Sequence, residues 1–114
     1  AMNVHTALGP GLLESAYESC LERELQLRGI VVQRQLALPL VYKDITGKVG
    51  YRIDLLVEKK VIIEVKAVEA LNDVHAAQLL TYLKLNKTKL GLLINFNVKL
   101  LKEGLKRFVN DLPE

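Results

Sequence analysis

Two apolar runs carry charge in places where strands seldom tolerate it. Tyr51-Arg52-Ile53-Asp54-Leu55-Leu56-Val57 and Val61-Ile62-Ile63-Glu64-Val65-Lys66-Ala67 are separated only by Glu58-Lys59-Lys60. Their aliphatic, β-branched content and the short charged break predict two adjacent antiparallel strands. Side chains alternate along a strand, so Glu64 and Lys66 share a face with Ile62, and Asp54 shares one with Arg52 and Leu56. A three-residue loop pairs Val57 with Val61. That register sets Asp54 opposite Glu64 and Arg52 opposite Lys66, with opposed Cβ atoms about 4.5–5.5 Å apart. A two-residue turn would shift the register by one and undo the arrangement. Two carboxylates at that range repel unless a cation or a proton lies between them, and unpaired charge is costly to bury. The pattern admits a shared metal ion with a catalytic lysine beside it, or a structural salt bridge.

The rest of the chain supplies a frame for these strands. Gly9-Pro10-Gly11 breaks the chain early, and a helix is expected from about Leu12 to Arg28. Its residues Leu13, Ala16, Tyr17, Cys20, Leu21 and Leu25 recur at spacings of three and four, the mark of one buried face, and Gly29 is a natural stop. Cys20 is expected in the core as a small buried residue. A first strand should run from Val31 to Tyr42, with Pro39 marking an edge or an irregularity. A turn over 43–48 leads to the second strand, near Val49 to Val57. Asn72 or Asp73 can cap a helix from Val74 to Leu85, in which His75 is an exposed first-turn residue. Leu90 to Phe96 is apolar on both faces, as in a strand inside a sheet reached by a helical crossover. A last amphipathic helix is expected from Val98 to Asn110. The chain is therefore α/β, with a mixed central sheet flanked by helices and residues 1–114 forming a single domain.

Composition narrows the partners. The net charge of +3 and pI near 9.0 are compatible with a polyanion without requiring one. One cysteine excludes an intramolecular disulfide. No apolar run approaches the length that spans a bilayer, and no signal peptide is visible, so a cytoplasmic protein with no membrane partner is the expectation.

Two hard oxygen ligands with room for water suit Mg²⁺ or Mn²⁺ rather than zinc. Lys66, close to a bound phosphodiester, would stabilise developing negative charge or orient an attacking water. Glu14 stands in the i, i+3, i+4, i+7 series with Tyr17, Glu18, Leu21 and Leu25, at the border of the apolar face. There it is either a third acid or a complement to the helix dipole. Gln78 and Tyr82, four apart on one helix face, would bind phosphate, position water or support a carboxylate, or else form a polar helix shoulder. No Cys/His cluster and no glycine-rich phosphate loop is present.

Asp54 followed after nine residues by Glu64-Val65-Lys66, behind a helix bearing Glu14, resembles the PD-(D/E)XK nuclease superfamily. Gln78-Leu79-Leu80-Thr81-Tyr82 resembles the QxxxY element of its lambda-exonuclease and RecB-like branch. Gly11-Leu12-Leu13-Glu14-Ser15-Ala16-Tyr17 is similar to the signature of the GxxExxY proteins, and the likeness extends over nearly the whole chain. The resemblance implies a restriction-endonuclease-like αβββαβ core and a metal-dependent nuclease acting on nucleic acid, DNA ahead of RNA. It implies Glu14, Asp54, Glu64 and the Val65 carbonyl as ligands of Mg²⁺ or Mn²⁺. Asp54, Glu64 and Lys66 would be catalytic, with Gln78, Tyr82 and Tyr17 supporting the site or the substrate. Ile53 stands where the superfamily name has proline. A homodimer or a larger partner protein would supply the grip on a duplex that so small a surface lacks. The competing readings are a nucleic-acid-binding module that does not cut, and a protein-interaction domain whose acids and lysine are buried ion pairs.

Overall fold

The computed structural model describes residues 2–42 and 45–110, with side-chain surroundings for those outside 39–50. A short helix α1 (Met2–Leu8) precedes α2 (Glu14–Leu27). Strands β1 (Val32–Tyr42), β2 (Ile45–Val57) and β3 (Val61–Lys66) follow, then helix α3 (Asp73–Leu85) and strands β4 (Leu90–Asn95) and β5 (Leu105–Val109). The sheet order is β1-β2-β3-β4-β5, antiparallel except for the parallel pair β3 and β4, which α3 connects. The sheet is mixed and α/β, as the sequence suggested.

Local chemistry sets most of the boundaries. Gly29, at φ +76, ends α2: its N–H reaches the Gln26 carbonyl and that of Ile30 the Leu25 carbonyl, both at 3.0 Å. Asn72 caps α3 by accepting the His75 N–H at 3.1 Å, and the His75 ring accepts the Asn72 N–H at 3.2 Å. His75 is thus half of a reciprocal cap, which its expected exposure did not suggest. The irregularity expected at Pro39 is a register shift between Leu38 and Leu40 on edge strand β1.

Three expectations are corrected. First, residues 98–110 do not form a helix. They hold a single 3₁₀ turn (Leu101–Glu103) and then β5, paired antiparallel to β4. Gly104 sits at the junction, packed so close to the Asn95 carbonyl that a Cβ could not fit, and pairing satisfies β4's outer backbone groups, which a helix would leave open. Second, Cys20 is exposed, because the buried stripe of α2 runs through Tyr17, Glu18 and Leu21. Third, β2 begins at Ile45, paired with Tyr42, so the expected turn is shorter; its residues 43 and 44 lie outside the described residues.

The sheet has a core on each face. On one, Leu55, Ile63, Val65 and Ile94 pack with Val4, Tyr17, Leu21 and Phe96 under α1 and α2. On the other, Leu56, Ile62 and Leu93 pack with Leu79, Tyr82 and Leu83 of α3. Leu55 belongs to the first core, but Ile53, two residues away, belongs to the second. The face alternation of β2 therefore breaks at Asp54.

Candidate active site

The three-residue loop forms as expected, with Glu58 and Lys59 in left-handed backbone (φ +53 and +57) and Val57 paired with Val61. Pairing continues through Leu56–Ile62 and Leu55–Ile63 and then stops. One step further, Asp54 turns its carboxylate to β3 and accepts the Val65 N–H through Oδ2 at 2.8 Å. The strands part here, so Arg52 is not carried opposite Lys66; it is exposed and pairs with Ala37 of β1.

Within the fork, Glu64 is buried to 2 % exposure and faces the Asp54 carboxylate. Burial first, and the adjacent Asp54 second, push the Glu64 carboxyl up to about 10, against a partial offset from Lys66. Glu64 Oε1 is buried and has no hydrogen-bond partner. A buried, unpaired carboxylate oxygen beside a second carboxylate is costly unless a proton or a cation completes it. Lys66, on the same strand, donates from Nζ to Gln78 Oε1 at 3.2 Å. Tyr82, one turn beyond Gln78, is buried; that burial and the charges of Glu64 and Asp54 push its phenol up to about 12. It therefore keeps its proton near neutrality and can donate a hydrogen bond.

Two helices hold the fork in place. Glu14, in the first turn of α2, is exposed and accepts the Ala67 N–H at 3.1 Å, pinning the end of β3. Tyr17 is fully buried, with its ring stacked on Phe96 at 4.6 Å. Its hydroxyl donates to the Gly9 carbonyl at 2.5 Å and accepts the Leu12 N–H at 3.1 Å. Tyr17 thus fixes the loop that delivers Glu14, and its contacts are structural. Asn95 is also buried; it accepts the Val68 N–H at 3.1 Å and donates to the Val68 carbonyl at 2.9 Å, tethering the turn between Lys66 and α3.

Asp54, Glu64, Lys66, Gln78 and Tyr82 thus meet in one place, while Glu14 stands at its margin. Among the described residues, no group of three His, Cys, Asp or Glu side chains is assembled to hold a metal ion. The acidic centre is the pair Asp54–Glu64. A pair suits Mg²⁺, which is commonly held by one or two carboxylates with water completing its shell. Val65 meets this centre through its N–H; nothing in the geometry engages its carbonyl with the acids.

Two contributors escaped the sequence reading. Glu18 is buried at 5 % exposure, and burial raises its carboxyl above the usual range. Its Oε1 accepts from Gln35 Nε2 at 2.7 Å and lies 3.4 Å from Arg34 Nε. Gln35 Nε2 also reaches Asp54 Oδ1 at 3.5 Å. Glu18 had a signal, since it lies on the same helical stripe as Tyr17 and Leu21. Gln35 had none: it sits mid-strand at φ +54, a conformation costing a non-glycine residue about 1–2 kcal/mol.

A family model for the PD-(D/E)XK nuclease superfamily matches residues 1–108. The chain belongs to this superfamily. Its members generally use divalent metal ions, and its nuclease character implies a nucleic-acid substrate. Comparison with curated proteins and with solved structures gave no significant match. Among the described residues, no helix is long and apolar enough to cross a membrane.

Proposed function

We propose that this protein is a nuclease of the GxxExxY branch that hydrolyses phosphodiester bonds in nucleic acid, DNA ahead of RNA, with Mg²⁺ or Mn²⁺. The observation that carries this reading is the Asp54–Glu64 pair, with its buried, unpaired Glu64 oxygen and Lys66 two residues further along the strand. Asp54 and Glu64 would hold the ion, with Glu14 and the Val65 carbonyl as further ligands. When bound, such an ion supplies Lewis-acid polarisation of a phosphoryl oxygen and lowers the pKa of water.

The chain's own groups do the rest. Gln78 holds the Lys66 ammonium beside the acids, where it would stabilise negative charge growing on the phosphoryl group. Tyr82, kept protonated, would donate to a phosphate or carboxylate oxygen. Tyr17 serves by fixing the loop before Glu14. We assign the protein to the cytoplasm, where the exposed Cys20 would stay reduced. A homodimer or partner protein would extend the surface that grips a duplex.

The test is a cleavage screen with Mg²⁺ and Mn²⁺ over single- and double-stranded DNA and RNA. Lys66→Ala should lower the rate by about 10²-fold or more, the scale of losing one charge-stabilising donor. Cleavage that persists in purified Asp54→Ala would sink the assignment. Nucleic acid held equally well without metal, and left uncut, would point instead to a binding module.

A further inference from the structure

Gln35 lies opposite Asp54 on the neighbouring strand, between the pairs Arg34–Leu55 and Leu36–Ile53. Among the described residues of β1 it alone has positive φ, at +54, although a glutamine gains nothing intrinsic from that conformation. The twist sends its amide between two carboxylates, 2.7 Å from Glu18 Oε1 and 3.5 Å from Asp54 Oδ1. A glutamine amide nitrogen has two hydrogens, one for each acid. Glu18 is anchored in turn by its burial in α2 and by Arg34. Asp54 is thereby approached from both sides: the Val65 N–H on Oδ2 and the Gln35 amide on Oδ1.

Strained backbone that persists at one point of a regular strand is typical of residues held there for a task. We infer that Gln35 is a positioning residue for the active site: anchored on Glu18, it fixes the Asp54 carboxylate in the orientation that receives the divalent cation. This rests on the metal-dependent reading of the Asp54–Glu64 pair. Oriented outer partners of metal ligands commonly set affinity by about 10–100-fold. Neither Gln35 nor Glu18 needs to touch the ion or the substrate for this role.

The experiment is calorimetric titration of the full chain with Mn²⁺ alone, beside thermal melting, for wild type, Asp54→Asn, Gln35→Gly, Gln35→Met and Glu18→Ala. Glycine adopts φ +54 freely, so Gln35→Gly should melt no lower than wild type while its Mn²⁺ Kd rises about tenfold. Gln35→Met keeps the side-chain bulk without the donors and should show the same loss of affinity. Combining Glu18→Ala with Gln35→Gly should weaken binding no more than Gln35→Gly alone, since one anchor serves one amide. Wild-type Mn²⁺ affinity in both Gln35 variants, with Asp54→Asn weakened, would overturn the inference and leave the active-site reading intact. Failure of the wild type to bind Mn²⁺ would overturn both.

Discussion

The Asp54 carboxylate accepts the Val65 N–H at 2.8 Å while facing the buried Glu64, so this bond ties Asp54 to the strand that carries Glu64 where β2 leaves β3. The bond replaces the next rung of the ladder. It satisfies a backbone donor that strand separation would otherwise orphan, and it does so with the same group that would bind the cation.

Asp54→Asn separates these two duties. The asparagine carbonyl can still accept the Val65 N–H, but the negative charge beside Glu64 is gone. The variant should melt at pH 8 no lower than wild type. Its Mn²⁺ affinity should fall at least about tenfold, the loss already common when only an outer partner of a ligand is altered. Scanning calorimetry and Mn²⁺ titration on the same preparation check both outcomes. A melting temperature well below wild type would mean that the charge, not the acceptor, holds the fork.

The Glu64 carboxyl gives the metal-free protein a pH signature. Its folded value, about 10, lies above the ordinary 4.5. Between those limits the folded chain retains a proton that the unfolded chain has released. The stability it contributes is therefore complete at low pH and is lost as pH rises toward the folded value, by at most about 1.4 kcal/mol per pH unit. Urea unfolding in chelator should give a lower free energy at pH 8 than at pH 6, and Glu64→Gln should flatten that slope. Mn²⁺ affinity should rise over the same interval, because binding displaces the proton.

Tyr17→Phe tests whether the signature tyrosine is structural. Phenylalanine keeps the stack on Phe96 but abandons the Gly9 carbonyl and the Leu12 N–H. The expected cost is about 1–2 kcal/mol, from two backbone groups losing a buried partner. In a chain of this size that is a fall in melting temperature of roughly 4–8 °C or somewhat more. Hydrogen exchange should quicken first at the Leu12 amide. Unchanged stability with weakened nucleic-acid binding would return Tyr17 to the substrate side.

The site was legible in the sequence where chemistry is local. A three-residue loop of charged residues fixes the Val57–Val61 pair and the register through Leu55–Ile63, which leaves Asp54 and Glu64 next in line where the strands part. Gln78 and Tyr82 follow from helical spacing. What was hidden depends on tertiary context. Gln35 looks like any polar residue in a strand, because no side chain announces a left-handed φ. Cys20 sits at helical spacing from Ala16 and Tyr17, yet a stripe one residue wider or narrower decides whether it meets the sheet. Glu14, expected as a third acid, stands at the margin of the pair, where one of its oxygens accepts the Ala67 N–H, a contact that helical spacing does not announce.

The missed β5 has the clearest cause and supplies the last prediction. Val98, Leu101, Leu105 and Phe108 recur at spacings of three and four, so local periodicity favours a helix. Gly104 opposes it, since glycine inside a helix costs about 1 kcal/mol relative to alanine. The open edge of β4 then decides, offering five paired positions from Leu90–Val109 to Ile94–Leu105. Gly104 also lets the chain enter that ladder: its carbonyl accepts the Asn95 N–H at 2.8 Å, and its own N–H returns to Leu101 at 2.9 Å. Gly104→Ala would drive a methyl group into the Asn95 carbonyl. The strain has to be relieved by moving backbone, at about 1–3 kcal/mol or more. Because Asn95 also tethers the turn beyond Lys66, the disturbance should reach the candidate active site. The variant should melt lower, lose amide protection along Leu105–Val109, and cleave more slowly with Mn²⁺ affinity nearly unchanged. Intact protection of β5 in Gly104→Ala would show that the close approach to Asn95 is not what seats the strand.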